Sequence, residues 1–347
     1  MFVGLKRYVR QFMTRNEIPV LNYHGVISEA FPFALPYHVS ESRFREQIQY
    51  LSTHRRCVTA DQLCAALESS DSSLTKAVAI TFDDGFANNL YRALPILEEY
   101  AVPATIFVTT NYVGDGNLLW PERLAAALAA SASDSVTIGQ QQYPVETSVQ
   151  KTSAYMAFTR YVKTREDRTA DALLEAFMSS NGLQWSDKDA ANYFEDLRML
   201  DRDELRRLAD HELITIGSHT CNHARLSQVE ADQSSMEIVE SGRWLGDEVQ
   251  KVSYFAYPFG GYGEDFYDSH VEVVRKSGYR AAFAVGAGGA SSRSNRYRIP
   301  RTNVTSDIDM PVYAYLAEGG SSQLHAGSIM SLAQGVISGS LAQADDQ

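Results

Sequence analysis

The chain has 347 residues, 44% hydrophobic and 21% charged, with 15 Phe, 19 Tyr, 3 Trp and a formal net charge of −12. This composition excludes a disordered chain, and the acidic balance argues against a nucleic-acid partner, whose phosphates need clustered Lys and Arg. Cys57, Cys64 and Cys221 contain no C-x-x-C pair and are too few for a disulfide framework, which fits a reducing compartment.

In chain order, the opening from Met1 to Ile18 mixes Lys6, Arg7, Arg10 and Arg15 with Phe2, Val3 and Leu5. It lacks the apolar run of a signal peptide, and no stretch is long enough for a transmembrane helix. Cytoplasmic residence is therefore expected, with peripheral contact at the inner membrane face open to the basic opening. Val20-Leu21-Asn22-Tyr23 predicts a strand ending at His24. A helix is expected from Glu41 to Leu51 after Ser40, and another from Thr59, where Thr59 and Gln62 have capping-box spacing. Ala77 to Phe82 predicts a buried strand that stops at Asp83-Asp84-Gly85, followed by a helix over Leu90 to Tyr100 and a strand over Ala104 to Thr110. From about Gly114 to Leu197 the strand rhythm lapses into helical, Ala-rich and polar sequence, too long for an ordinary connection, so a helical insertion is expected. The rhythm resumes with a helix start at Asp201 to Glu204. A strand over Leu213 to Gly217 then ends at Ser218-His219, and another covers Ser253 to Tyr257. A helix near Asp265 to Lys276 and strands at Arg280 to Val285 and Tyr297 to Arg301 complete the series. Strands alternating with helices predict an α/β fold on a parallel sheet, doubly wound or closed as a barrel. The expected domain is 18–312, with the insertion at about 114–197 and a flexible Ser/Gly-rich tail at 313–347.

The polar residues collect at strand ends, the face on which βα barrels build active sites. Asp83 and Asp84 directly follow an apolar strand, with a glycine behind them to let the chain turn. His219 and His223 are four apart, so one helical turn would bring both rings to one point. Adjacent acids are ordinarily solvated and a His-x-x-x-His spacing is common; the two elements ending strands of one sheet are what point to chemistry. Two imidazoles and one carboxylate make a catalytic zinc site with a position open for water, and a second carboxylate beside it supplies a base. His270-Val271-Glu272 has a His-x-acid spacing but lies in a helical pattern, where residues two apart diverge. Cys221 reads as a small packed side chain, and Tyr112, Trp120 and Tyr262 as aromatics able to stack on sugar rings.

Thr81-Phe82-Asp83-Asp84-Gly85, His219-Thr220-Cys221-Asn222-His223 and Tyr257-Pro258-Phe259-Gly260 resemble the first three motifs of the polysaccharide deacetylases, the carbohydrate esterase family 4 or NodB-homology group, over about residues 18–310. The resemblance implies an irregular (β/α) barrel with Asp84, His219 and His223 as ligands of a divalent metal, zinc foremost. It implies Asp83 as the general base, the Phe259 N–H as an oxyanion donor, and a substrate-binding edge at Tyr257, Pro258 and Tyr262. Two departures stand out. Ala256 occupies the place of the usual base-orienting Arg, for which Arg298 or Arg301 is the expected substitute, and the C-terminal motif with its catalytic His is absent, since Leu324-His325 lies in the Ser/Gly-rich tail. Leu21-Asn22-Tyr23-His24 instead resembles rearranged members in which that strand comes first, implying His24 as the acid that protonates the leaving amine. The implied activity is release of acetate from an N-acetylated sugar, oligosaccharide or polysaccharide. The rival readings are an ester or cyclic-amide hydrolase on a non-sugar substrate and an inactive carbohydrate-binding relative.

Overall fold

A computed structural model describes residues 17–69, 76–114, 116–165, 169–183, 194–286 and 288–320. Seven strands form its centre: β1 (Val20–Tyr23), β2 (Ala77–Phe82), β3 (Ala104–Val108), β4 (Ile214–Ser218), β5 (Tyr254–Gly261), β6 (Ala281–Val285) and β7 (Ile299–Asn303). Each pairs in parallel with the next, and β7 returns to β1 through Leu21↔Thr302 and Asn22↔Asn303, closing a barrel. A short strand, Arg56–Val58, pairs with the start of β2.

Parallel strands covered on both faces favour continuous apolar runs, and β2 and β3 are buried at every position. The pleat sends alternate residues to opposite sides. Val20, Ala79, Phe107, Ala256, Phe283 and Ile299 gather in one cluster, while Leu21, Ile80 and Ile106 gather in another with residues of the outer helices. Continuing the same alternation toward the C-terminal strand ends gives Asn22, Thr81, Asp83 and Arg301, a polar layer above an apolar one.

Helix α1 (Glu41–His54) starts where Ser40 accepts from the Arg43 N–H and buries Phe44, Ile48 and Leu51. Helix α2 (Ala60–Ser69) carries the reciprocal cap between Thr59 and Gln62, at 3.0 and 3.2 Å. The single helix expected over Leu90 to Tyr100 is a π-helical turn, Asn89–Ala93, leading into α3 (Leu94–Glu99). Pro95 has no N–H for the carbonyl four residues back, so regular α bonding is broken there.

The insertion holds α4 (Trp120–Ala130), α5 (Ser148–Lys163) and α6 (Ala170–Ser180) around its own core of Leu124, Leu128, Phe158, Leu174 and Phe177. Beside the expected helices it contains an antiparallel hairpin, Ser135–Ile138 with Gln141–Pro144. Gly139, at φ 63°, supplies the turn. Among the described residues four more helices follow, α7 (Arg202–Ala209), α8 (Ala231–Val249), α9 (Asp268–Lys276) and α10 (Met310–Ala317). In α10, Tyr313 is buried and accepts from the Tyr23 hydroxyl at 2.9 Å, so residues 313–320 are not part of the flexible tail expected from 313. Residues 1–16, with the basic opening, and 321–347, with His325, lie outside the described residues. Among the described residues no helix is long and apolar enough to cross a membrane.

Candidate metal centre

At the end of β2 the chain reverses through two consecutive left-handed residues, Asp84 at φ 78° and Gly85 at φ 89°. The left-handed backbone favours glycine at position 85, where a Cβ would also crowd Val108 Cγ1 at 3.1 Å. The turn sends the two carboxylates to different partners, Asp83 toward β7 and β1 and Asp84 toward the segment after β4.

That segment is not the helical turn expected from the His219–His223 spacing. Thr220 and His223 both have left-handed backbone, at φ 68° and 55°, and a helix cannot pass through such residues. The two rings converge because the loop folds back on itself. His223 Nε2 lies 3.3 Å and His219 Nε2 3.6 Å from Asp84 Oδ1. One ligand atom from each of Asp84, His219 and His223 falls within 4.8 Å of the others.

Several observations test whether these residues suit a divalent ion. Asp84 Oδ1 is buried and has no hydrogen-bond partner. Burial pushes the Asp84 carboxyl well above the usual carboxylate range, with repulsion from Glu122 and Asp83 adding and Arg301 opposing. Burial holds the His223 imidazole well below its usual value, and His219 is lowered by burial against the pull of Asp83. Neutral imidazoles around an uncompensated carboxylate lack only a cation. His219 Nδ1 meets the Ala256 carbonyl at 2.8 Å, which leaves Nε2 free as an electron-pair donor. The donor set fits a zinc-type ion.

Asp83 has the opposite environment. Arg301, wholly buried, donates to both of its oxygens at 2.7 and 2.9 Å. Asn22 Nδ2 donates a third bond at 3.0 Å, while Asn22 Oδ1 accepts from Arg301 at 2.7 Å and from Thr81 Oγ1 at 2.8 Å. Burial alone would raise the Asp83 pKa, but the charge of Arg301 holds it below the usual range. Of the two arginines expected to replace the one missing at Ala256, Arg301 therefore reaches Asp83. Arg298 instead lies over the Tyr262 ring, 3.8 Å from its centre.

His24 follows β1 on the same barrel end. Its Nδ1 is buried without a partner and its ring stands 5.1 Å from that of Tyr37. Burial takes its pKa down to about 4, opposed by Asp83 and reinforced by His219 and Arg301, whose charges it feels. Between Ala256 and Gly261 the ladder joining β5 to β6 shifts register. In that stretch Phe259 has φ 62°, is 36% exposed and packs 5.0 Å from the His223 ring. Tyr257 does not fit the substrate-binding expectation. It is buried, stacks on Phe266 at 3.7 Å and donates its hydroxyl to the Tyr297 carbonyl. Pro258 is buried beside it, and only Tyr262, 47% exposed, stands at the surface.

A cleft of about 380 Å³ opens beside His223 and Phe259 and is also lined by Tyr112, Trp120 and Arg225. His270 accepts from the Tyr267 N–H as a helix cap, and Cys221 is half-buried with its thiol toward the Glu237 carbonyl at 3.7 Å. Sequence reasoning missed Asn22, although a buried polar residue within an apolar strand is a legible signal. It also missed the buried His38 and Glu122, 3.9 Å apart and each with an unpartnered atom.

The sequence profile of the polysaccharide deacetylase family matches residues 71–282, more than half of the chain. YxkH of Bacillus subtilis (strain 168), named for the same family, is 20% identical over 291 residues, which cover 83% of this chain and 72% of that protein. The poly-beta-1,6-N-acetyl-D-glucosamine N-deacetylase of Staphylococcus aureus (strain MSSA476) is 33% identical over 81 residues, only 23% of this chain and 28% of that protein. Among solved structures, the Streptococcus pyogenes deacetylase PplD in complex with acetate shares the fold. Its TM-score is 0.53 at 17% identity, and the match covers 88% of this chain and 99% of that one. The chain belongs to the polysaccharide deacetylase family, hydrolases acting on carbon–nitrogen bonds other than peptide bonds.

Proposed function

We propose that this enzyme removes the acetyl group from an N-acetylated sugar or saccharide, using a divalent metal held by Asp84, His219 and His223. The carrying observation is the separation of two adjacent carboxylates into unlike settings. Asp84 has an unpartnered oxygen against two neutral imidazoles, and Asp83 is kept ionised by Arg301 and Asn22. A divalent ion held there, zinc by the donor set, would supply Lewis acidity and would make water acidic enough to be deprotonated near neutral pH.

Asp83 is the base. Its carboxylate takes a proton from the attacking water, and the bidentate grip of Arg301 fixes its orientation before and after the transfer. Attack on the acetamide carbonyl gives a tetrahedral oxyanion, and the Phe259 N–H, in the stretch where the β5 ladder shifts, donates to that charge. His24 gives the departing amine its proton. Burial keeps this imidazole neutral at rest, so the proton it passes to the amine is the one Asp83 has taken from water, and its transfer returns Asp83 to the carboxylate. The products are acetate and a free amino sugar. Tyr112 and Trp120 on the cleft wall, and Tyr262 at the rim, offer faces on which sugar rings can stack.

Residence in the cytoplasm, and action on a precursor during glycan assembly, is the reading favoured by three free cysteines; recovery of the protein from an extracellular fraction would count against it. The amide reading is tested by offering matched N-acetyl and O-acetyl glucosamine oligomers and measuring acetate from each. Faster release from the N-acetyl compounds supports it. Release from the O-acetyl compounds alone would favour the ester-hydrolase rival.

A further inference from the structure

We propose that Glu237 is the positioning residue of the metal-binding loop, holding the backbone between His219 and His223 so that both rings reach Asp84. The proposal rests on the metal centre proposed above.

Glu237 projects from α8 and is 2% exposed. Its Oε2 accepts the Cys221 N–H at 2.9 Å and the Asn222 N–H at 2.8 Å. Its Oε1 accepts Asn222 Nδ2 at 2.6 Å and Gln233 Nε2 at 3.4 Å. A buried carboxylate is expensive unless its oxygens are satisfied, and here three of the four bonds come from the two loop residues. Those residues stand between Thr220 and His223, the two with left-handed backbone. Such strain persists only where the surroundings over-determine the conformation, and a β-branched Thr is a poor candidate for it unaided.

The other side of the loop is held separately. The carbonyls of Thr220 and Cys221 accept from the N–H groups of Thr110 and Asn111 at 3.1 and 2.9 Å, and Asn222 Oδ1 accepts from Asn111 Nδ2 at 2.8 Å. The loop's acceptors are therefore gripped by the segment after β3 and its donors by Glu237. Without Glu237 the two N–H groups lose their buried acceptor, and the loop relaxes from the shape that brings the histidines together.

The test is competition for zinc against a chromogenic chelator, using wild type, Glu237→Ala, Glu237→Gln and Asp61→Ala, with thermal unfolding of the metal-stripped proteins alongside. Asp61 accepts from Tyr254 at 2.6 Å and from Arg280 at 2.5 Å beside the start of β5, at the far end of the barrel. Glu237→Ala is expected to weaken zinc binding roughly 10- to 100-fold, the usual effect of losing a group that orients metal ligands. Glu237→Gln, which keeps one acceptor oxygen, falls between it and wild type. Asp61→Ala lowers the unfolding temperature and leaves zinc affinity unchanged. If Glu237→Ala fails to fold, weaker binding by Glu237→Gln supports the proposal and wild-type affinity in it overturns it. Equal affinity in both Glu237 variants and wild type, or an equal loss in Asp61→Ala, overturns it too. A wild type that takes up no zinc would instead overturn the metal centre on which it rests.

Discussion

Asp83 and Asp84 are neighbours in sequence with opposite electrostatic surroundings, and substitution of each should separate their roles. Asp83→Asn should retain the metal and lose activity by roughly 10²- to 10⁴-fold, the range of a general-base contribution, whereas Asp84→Asn should lose metal affinity as well. Equal metal loss in the two variants, measured by elemental analysis after dialysis, would contradict the assignment. His24→Ala should likewise keep fold and metal while activity falls by about 10²-fold or more; near-normal turnover would remove it from the reaction. Arg301→Met should be costly twice over. It leaves the Asp83 carboxylate buried without its bidentate partner, a loss of about 3–5 kcal/mol in denaturant unfolding, and it frees the base to rotate. A stability within about 1 kcal/mol of wild type would contradict this. Asp83, Asp84 and His219 were legible because they directly follow apolar strands, and His223 because it stands four residues beyond His219. The choice of Arg301 over Arg298 was not, because it depends on which residue of β7 faces the barrel interior, and that register is fixed only when β7 pairs with both β6 and β1.

At the scale of elements, the contact between the insertion and the barrel contains a buried pair whose titration can be followed. Glu122 on α4 and His38 on the strand His38–Ser40 are each 4% exposed. Burial, reinforced by His24, lowers His38 from 6.5 to about 3, and burial raises Glu122 from 4.5 to about 8. The unfolded chain therefore protonates His38 below 6.5 while the folded chain does not, so stability is lost as pH falls from 6.5 toward 3, by about 1.4 kcal/mol per unit. Glu122 acts in the other direction: unfolded, it ionises above 4.5, and folded only near 8, so stability is lost as pH rises across that window at a similar slope. Urea unfolding of metal-stripped protein at a series of pH values should find the acid-side slope reduced in His38→Gln and the alkaline-side slope reduced in Glu122→Gln. Curves parallel to wild type would contradict it. Helix starts at Thr59 and Asp201 were legible because capping boxes are local chemistry. The hairpin within the insertion was not, since Gln141–Pro144 is polar and largely exposed and carries no apolar alternation. The left-handed path from Thr220 to His223 was equally hidden, because a spacing of four says nothing about backbone handedness.

For the whole molecule, ring closure is what turns scattered motifs into one centre. Because β7 pairs with β1, Arg301 near the C-terminal end of the barrel sequence, Asn22 near its start and Asp83 between them meet in a single hydrogen-bonded group. The parallel α/β sheet was legible from buried β-branched runs spaced by helices; open and closed sheets share that pattern, so its closure into a barrel was expected only from the motif resemblance. If this barrel end is the metal-dependent N-deacetylase proposed above, acetate release from N-acetylglucosamine oligomers, measured before chelation, after chelation and after zinc is restored, should be abolished by the chelator and recovered with zinc. Release unaffected by chelation with no metal bound, or none from any N-acetylated saccharide by fully zinc-loaded protein, would contradict it.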